Sequence, residues 1–215
     1  MSITAVLGTA GLLGLIAVVS TPWLRALARA DSRWLSSGLH PLLAALGGTG
    51  AAVIATDYLE LLGLAAAALA CALLITVDLA VHRIPNAIVA PAYPLVLGCF
   101  AISAALGGGF SDLLRAALAG LALAGTFLLL ALIAPSGMGL GDVKLAGLLG
   151  IVLGWYGWEQ VLTGGIAAFV LGGLFAIALL IFARATPKTT VAFGPWLVAG
   201  AVVGVLSGPA ILGAS

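Results

Sequence analysis

The stretch S-G-M-G-L-G-D-V-K-L, residues 136–145, lies between two long apolar runs, of which one covers residues 113–134 and the other opens at Val143. The stretch carries one carboxylate, Asp142, and three glycines before it, Gly137, Gly139 and Gly141. Glycine has no Cβ, so it allows backbone angles that other residues avoid and lets another chain approach closely. An acid beside hydrocarbon is costly and therefore suggests a function. A second acid in a comparable setting, Asp78, is its natural partner.

The composition is that of a membrane protein. Of 215 residues, 63% are hydrophobic and 7% are charged, whereas a soluble domain has about 25% charged residues. The mean hydropathy is +1.30, and the apolar runs approach the roughly 20 residues that a spanning helix requires. Eight runs predict eight spans, at residues 3–19, 41–56, 61–77, 87–106, 113–134, 143–158, 161–183 and 193–212. We therefore predict an all-α fold, a polytopic membrane helix bundle of about eight transmembrane helices that forms one domain over residues 1–215.

The positive charges predict the orientation of the bundle, because Lys and Arg concentrate on the cytoplasmic side of membrane proteins. No positive side chain precedes the first run and arginines follow it, which argues against a signal peptide and places the N-terminus outside. Seven of the eight positive residues then fall on inner connections: Arg25, Arg29, Arg33, Arg83, Lys144, Arg184 and Lys188. Arg115 is left outside. Residues 21–40 form a short cytoplasmic connection, either as a helix on the membrane surface or as a solvated loop.

Asp78 and Asp142 fall on the same side of the membrane in this topology. Between them the chain crosses the bilayer twice, through residues 87–106 and residues 113–134. Each acid then stands at the cytoplasmic end of a span. Two residues that are 64 positions apart in the chain can therefore meet in one site.

Two neighbouring carboxylates can perform acid–base chemistry without a metal, a cofactor or a nucleophilic side chain. They cannot both ionise comfortably, so one keeps a proton. The ionised carboxylate can take a proton from water while the protonated one polarises a carbonyl. Near Asp78, Pro85 prevents helical continuation and Asn86 can cap the next helix. Asp142 stands at the start of its own helix, where the helix dipole favours negative charge.

Three motifs follow one another in the chain: D-x5-I-P-N at residues 78–86, G-x-G-D-x-K-L at residues 139–145, and T-V-A-F-G-P-W-L at residues 190–197. Together they resemble the bacterial type IV prepilin peptidases, a GxGD-type family of membrane aspartic proteases. The resemblance implies cleavage of the short basic leader of a prepilin or pseudopilin helix at the cytoplasmic face of the inner membrane. It implies Asp78 and Asp142 as the catalytic pair. The supporting residues would be Gly139, Gly141, Lys144, Pro85 and Asn86.

The connection after the first span departs from many members of that family. Those members carry there a cytosolic domain with paired cysteine motifs and an N-methylating activity, whereas residues 21–40 contain no cysteine. We therefore expect a peptidase without methyltransferase activity, or one for which another protein supplies that activity. The two cysteines, Cys71 and Cys99, lie within apolar runs without metal-ligand spacing, and we expect buried reduced thiols. We expect no metal and no stable cofactor.

Simpler roles stay open for the same residues. Asp142 could only cap its helix, and Asp78 could pair with Arg83. His82 could be an interfacial polar residue or a proton shuttle. Lys144 could tune the nearby acid or serve the general charge bias.

Two other classes of function compete with the peptidase. A proton- or cation-coupled transporter also uses paired acids in the membrane, but it should carry polar residues nearer the middle of its spans. A structural scaffold leaves the glycine-rich stretch without a purpose. A net charge of +1 and the lack of a dense basic tract give no indication of nucleic-acid binding.

Overall fold

The computed structural model describes residues 1–30, 32–107, 109–133, 138–182 and 192–208. Within these ranges every regular element is a helix, which confirms the all-α fold. The helices are α1 (Ile3–Val19), α2 (Thr21–Ala28), α3 (Arg33–Ser36), α4 (Leu39–Ile54), α5 (Tyr58–Val81), α6 (Asn86–Gly107), α7 (Phe110–Ile133), α8 (Leu140–Tyr156), α9 (Trp158–Phe182) and α10 (Gly194–Leu206).

Eight of these helices correspond in order to the eight predicted apolar runs, while α2 and α3 lie in the connection at residues 21–40. In the described part of the chain, α5, α6, α7 and α9 are long and apolar enough to cross a membrane. The pair formed by α1 and α2, which bends by 48°, gives a fifth span if it counts as one. The protein is therefore a polytopic helical bundle. The count of eight spans and the outer N-terminus stay predictions.

The outer surface of the longest helix is apolar. α9 exposes large hydrophobic side chains along its length, among them Leu162, Ile166, Val170, Leu174, Ile177 and Ile181. A soluble protein rarely exposes so extensive an apolar face. This face fits the hydrocarbon of a lipid bilayer.

The described residues divide into two compact units, Met1–Leu114 and Arg115–Ser215. In the first unit α1 and α4 run antiparallel, because Gly14 faces Ala45 while Gly48 faces Thr9. An added Cβ at Gly48 would meet the Thr9 carbonyl oxygen at 3.1 Å. Glycine permits this close approach of two helix backbones.

Residues 21–40 fold against α5 as two short helices. Leu24 of α2 and Leu35 of α3 are fully buried. The Thr21 hydroxyl lies 2.9 Å from Nε2 of His40, which is itself 2% exposed. The connection is therefore helical in part and anchored to the end of α5 that carries Asp78. Its place on a membrane surface stays a prediction.

A polar network begins α5 at the opposite end of the first unit. Asp57 caps the helix by accepting hydrogen bonds from the N–H groups of Leu59 and Glu60, at 2.8 and 2.9 Å. Its second oxygen accepts from the Ser103 hydroxyl of α6 at 2.6 Å. Glu60 is 1% exposed and accepts from the backbone N–H and the hydroxyl of Thr56. The network joins α5 to α6.

The second unit contains two closely packed antiparallel pairs. In α7 and α8, Gly120 faces Ile151 while Ala116 faces Gly154, so the two helices run in opposite directions. Gly154 lies so close that an added Cβ would overlap the Cβ of Ala119.

The helices α9 and α10 repeat this arrangement. Gly164 faces Gly200 and Gly172 faces Phe193, which again shows opposite directions. Leu153, near the end of α8, packs against Gly204, near the end of α10, so the beginning of α8 lies at the same end of this unit as the beginning of α10.

Candidate active site

Asp78 lies in the last turn of α5, at the end of a continuously buried segment, residues 70–78. Its side chain is 4% exposed. The negative end of a helix dipole disfavours an ionised acid in the last turn, and burial disfavours the charge as well.

The chain turns sharply after Asp78. His82 has a left-handed backbone, with φ 49° and ψ 46°, and its N–H donates to the Asp78 carbonyl at 2.8 Å. This cap satisfies a carbonyl that the end of the helix leaves unpaired. The expected break at Pro85 is present, because α5 ends at Val81 and α6 begins at Asn86.

Asp142 occupies the third position of α8 and is 9% exposed. One of its carboxylate oxygens accepts the Gly139 N–H at 3.1 Å, while the Asp142 N–H donates to the Gly139 carbonyl at 3.0 Å. This reciprocal arrangement closes the first turn of the helix. The positive end of the dipole favours an ionised carboxylate there. Asp142 therefore has the opposite electrostatic setting from Asp78.

Three residues near Asp142 in the chain, Gly139, Gly141 and Lys144, are predicted to support it. Gly139 has φ −84° and ψ 152°, an ordinary extended conformation, so its backbone angles do not require glycine. Gly141 lies in the first turn of α8, and Lys144 is exposed one turn further along. Ser136 and Gly137 of the predicted stretch lie outside the described residues, as do Arg184 and Lys188.

An aromatic cluster lies at the Asp142 end of the second unit. The ring of Phe127 stands 5.2 Å from that of Phe169 and 6.1 Å from that of Phe193, measured between centroids. The Phe193 ring packs against Gly172, where an added Cβ would lie 2.7 Å from a carbon of the ring. Residues 193–197 of the third motif thus lie at the start of α10 beside α9, and the rings fill space between helices; Thr190 and Val191 lie outside the described residues.

The structure gathers the predicted residues into two local groups. Asp78, Pro85 and Asn86 lie around the end of α5, and Asp142 lies with Gly139, Gly141 and Lys144 around the start of α8. The first group belongs to unit Met1–Leu114 and the second to unit Arg115–Ser215. The meeting of the two acids in one site stays a prediction.

A family model of type IV leader peptidases matches residues 64–182, which is more than half of the chain. The chain belongs to the type IV leader peptidase family. No curated protein and no solved structure matches it. The matched segment contains Asp78 and Asp142. Membership supports a leader peptidase that acts on prepilins, in agreement with the motifs.

Sequence reasoning missed two polar anchors of this leader peptidase. Asp57 caps α5 and holds Ser103 of α6. The pattern D-x-x-E, which Asp57 and Glu60 form, is a recognisable signal for a helix start. Arg115 donates two hydrogen bonds to backbone carbonyls near the end of α8. No local pattern indicates that contact, because its partners lie about 40 residues away.

Proposed function

We propose that this leader peptidase is an aspartic endopeptidase that cleaves the short basic leader of a prepilin or pseudopilin, with Asp78 and Asp142 as its catalytic pair. The observation that carries the proposal is the position of these two acids within residues 64–182, the segment that the family model matches. Asp78 lies in the last turn of the long apolar helix α5 and is 4% exposed, and Asp142 lies in the first turn of α8 and is 9% exposed. A buried acid in a membrane helix is costly and marks a functional site.

The two settings assign different roles to the acids. Asp142, at the positive end of α8 and bonded to the Gly139 N–H, is the ionised base that takes a proton from water. Asp78, buried in the last turn of α5, keeps its proton and donates a hydrogen bond to the carbonyl oxygen of the scissile peptide. The resulting hydroxide attacks the carbonyl carbon, and the amine of the mature pilin leaves with a proton returned from the pair.

The charges favour a cytoplasmic site. In the first unit, Arg25, Arg29 and Arg83 lie at the Asp78 end, while Asp57 and Glu60 lie at the other end. Positive residues concentrate on the cytoplasmic side of membrane proteins. We therefore place the site at the inner face of the bacterial cytoplasmic membrane, where a prepilin presents its basic leader.

The connection at residues 21–40 supports a peptidase without methyltransferase activity. Its described residues form two short helices packed on α5, and it contains no cysteine. A segment of this length cannot build a separate core of its own.

A coupled transporter is less well supported. In the described ranges, the buried acids and histidine are His40, Glu60, Asp78 and Asp142. Each lies within four residues of a helix end. A transporter instead holds coupling groups near the middle of the membrane.

The decisive experiment is cleavage of a prepilin with a basic leader by the full-length protein in proteoliposomes. We expect Asp78→Asn and Asp142→Asn each to lower kcat by about 10²- to 10⁴-fold, because each removes one acid–base partner. Both variants keep the size of the side chain and test charge and proton transfer.

Glu159→Gln is the matched control, since Glu159 is an exposed acid at the opposite end of the second unit from Asp142. It should cleave the prepilin at the rate of the unmodified chain. Cleavage at that same rate by either aspartate variant would remove the proposed mechanism.

A further inference from the structure

Arg115 is the positive residue that the charge pattern leaves on the outer side, and the structure gives it a partner. It lies in α7, where its Nε donates to the Gly154 carbonyl at 2.7 Å. Its Nη2 donates to the Trp155 carbonyl at 2.6 Å. Both carbonyls lie in the last turn of α8, which ends at Tyr156.

These bonds suit the chemistry of a helix end. The last four carbonyls of a helix have no partner within it, and the dipole makes that end negative. The planar guanidinium presents its donors in a fixed fork and stays charged. Arg115 therefore holds the end of α8 by two short, charge-assisted hydrogen bonds.

The rest of the contact between α7 and α8 consists largely of small residues. An added Cβ at Gly150 would meet the Ala119 carbonyl oxygen at 2.7 Å and the Cα of Gly120 at 2.9 Å. Such residues bring two helix backbones close together. Ile151 of α8 also packs over Gly120 of α7, but its contact there is non-directional. The directed bonds of Arg115 add a restraint along the helix axis.

We propose that Arg115 is a positioning residue for Asp142. It fixes the position of α8 along the helix axis relative to α7. It therefore also sets the axial position of the Asp142 carboxylate at the other end of α8. Asp142 and Gly154 are 12 positions apart, or about 18 Å along a helix that rises 1.5 Å per residue. This inference rests on the proposed function, because it takes Asp142 as a catalytic residue.

The kinetic test compares Arg115→Lys and Arg115→Gln with the unmodified chain in prepilin cleavage. Displacement of a catalytic group by about 1 Å can cost a hundredfold in rate. We expect Arg115→Gln to lower kcat by about tenfold to a hundredfold with KM unchanged, since Arg115 lies far from the substrate. Lysine keeps the positive charge but carries all its hydrogen-bond donors on one nitrogen. Arg115→Lys should therefore keep more of the kcat than Arg115→Gln does.

A second measurement reports the position of α8 relative to α7 independently of catalytic activity. Spin labels at Leu121 of α7 and Leu140 of α8, which are 71% and 63% exposed, report the distance between the two helices. The labelled chain carries Leu121→Cys and Leu140→Cys in a background of Cys71→Ala and Cys99→Ala. We expect Arg115→Gln to shift or broaden this distance and Arg115→Lys to do so less. Glu159→Gln, the control, should leave it unchanged.

The two readouts separate the possible failures. An unchanged distance in both Arg115 variants would overturn the positioning role, whatever the rates. A shifted distance with unchanged kcat would overturn it as well. If the unmodified chain cleaves no prepilin, the proposed function fails, while the distance still shows whether Arg115 holds α8 in place.

Discussion

At the scale of the residue, the two candidate acids differ in the helix end that they occupy. Asp78 lies in the last turn of α5 and Asp142 in the first turn of α8. The helix dipole therefore acts on them with opposite sign. In the proposed mechanism this difference gives the role of base to Asp142 and the role of proton donor to Asp78. The backbone thus supplies an asymmetry that two identical side chains do not have by themselves.

Asp57 gives a prediction at the same scale. Burial alone raises the pKa of Asp57, but hydrogen bonds from Ser103 and from the N–H groups of Glu60 and Leu59 outweigh it and hold that pKa below its ordinary value. A lowered pKa means that the carboxylate stabilises the fold above the unfolded-state pKa of about 3.9. This stabilisation is lost as the pH falls through the lower folded-state pKa.

We therefore expect the midpoint temperature of thermal unfolding in detergent micelles to decrease as the pH is lowered through that acidic range. Asp57→Asn should lower the midpoint at neutral pH and reduce the fall on acidification, because its amide does not titrate. The measurement is the midpoint against pH for both chains, with Glu159→Gln as the control acid. Parallel curves for Asp57→Asn and the unmodified chain would show that the Asp57 cap contributes nothing.

Much of this residue-scale detail could be predicted from the chain. The acids, the break at Pro85 and the start of α8 beside Asp142 follow from local patterns of charge and chain stiffness. The contact of Arg115 with Gly154 and Trp155 could not, because it depends on how α7 packs against α8. Gly139 has an extended backbone that any residue can adopt, so the conformational freedom of glycine is not used there.

At the scale of the element, glycine decides how closely the helices approach. Gly200 of α10 faces the backbone of α9, and an added Cβ would lie 2.5 Å from the Ala168 nitrogen and from the Gly164 carbonyl oxygen. Backbone atoms cannot rotate away as a flexible side chain can. By contrast, Gly173 of α9 has nothing within 4 Å of the same position.

The two glycines give a matched pair of substitutions. We expect Gly200→Ala to destabilise the protein by about 1–3 kcal/mol through overpacking, more than the gain of about 1 kcal/mol from better helix propensity. Gly173→Ala should be neutral or stabilising, because it has that gain without a clash. Thermal unfolding in micelles measures both. Equal effects of the two substitutions would show that α9 and α10 do not depend on this contact.

Apolar runs predict the helices well and their ends less well. A spanning segment must be continuously apolar, so every run is matched by a helix. α5 begins at Tyr58, three residues before its predicted run, because Asp57 caps it. α8 likewise begins at Leu140, before the predicted residue 143, because Gly139 and Asp142 close its first turn. The pattern of apolar runs does not predict the bend of 48° between α1 and α2.

At the scale of the whole molecule, the proposed catalytic pair requires one acid from each unit. Asp78 belongs to Met1–Leu114 and Asp142 to Arg115–Ser215. Each candidate helix is anchored at its far end, α5 by the bond between Asp57 and Ser103 and α8 by Arg115. The family segment spans both units. The prediction that both acids lie on the same side of the membrane follows from counting spans, whereas their distance depends on packing that no local pattern encodes.

Cross-linking of positions 78 and 142 in the membrane shows whether the two acids meet in one site. The chain carries Asp78→Cys and Asp142→Cys in a background of Cys71→Ala and Cys99→Ala, and a short bifunctional maleimide joins cysteines that lie close together. The control pair replaces the second position with Trp158→Cys, an exposed residue at the opposite end of its unit. We predict that positions 78 and 142 cross-link within one chain and react with reagents from the cytoplasmic side, while the control pair stays unlinked. Labelling of the two positions from opposite faces of the bilayer, or a control pair that links while they do not, would contradict the account.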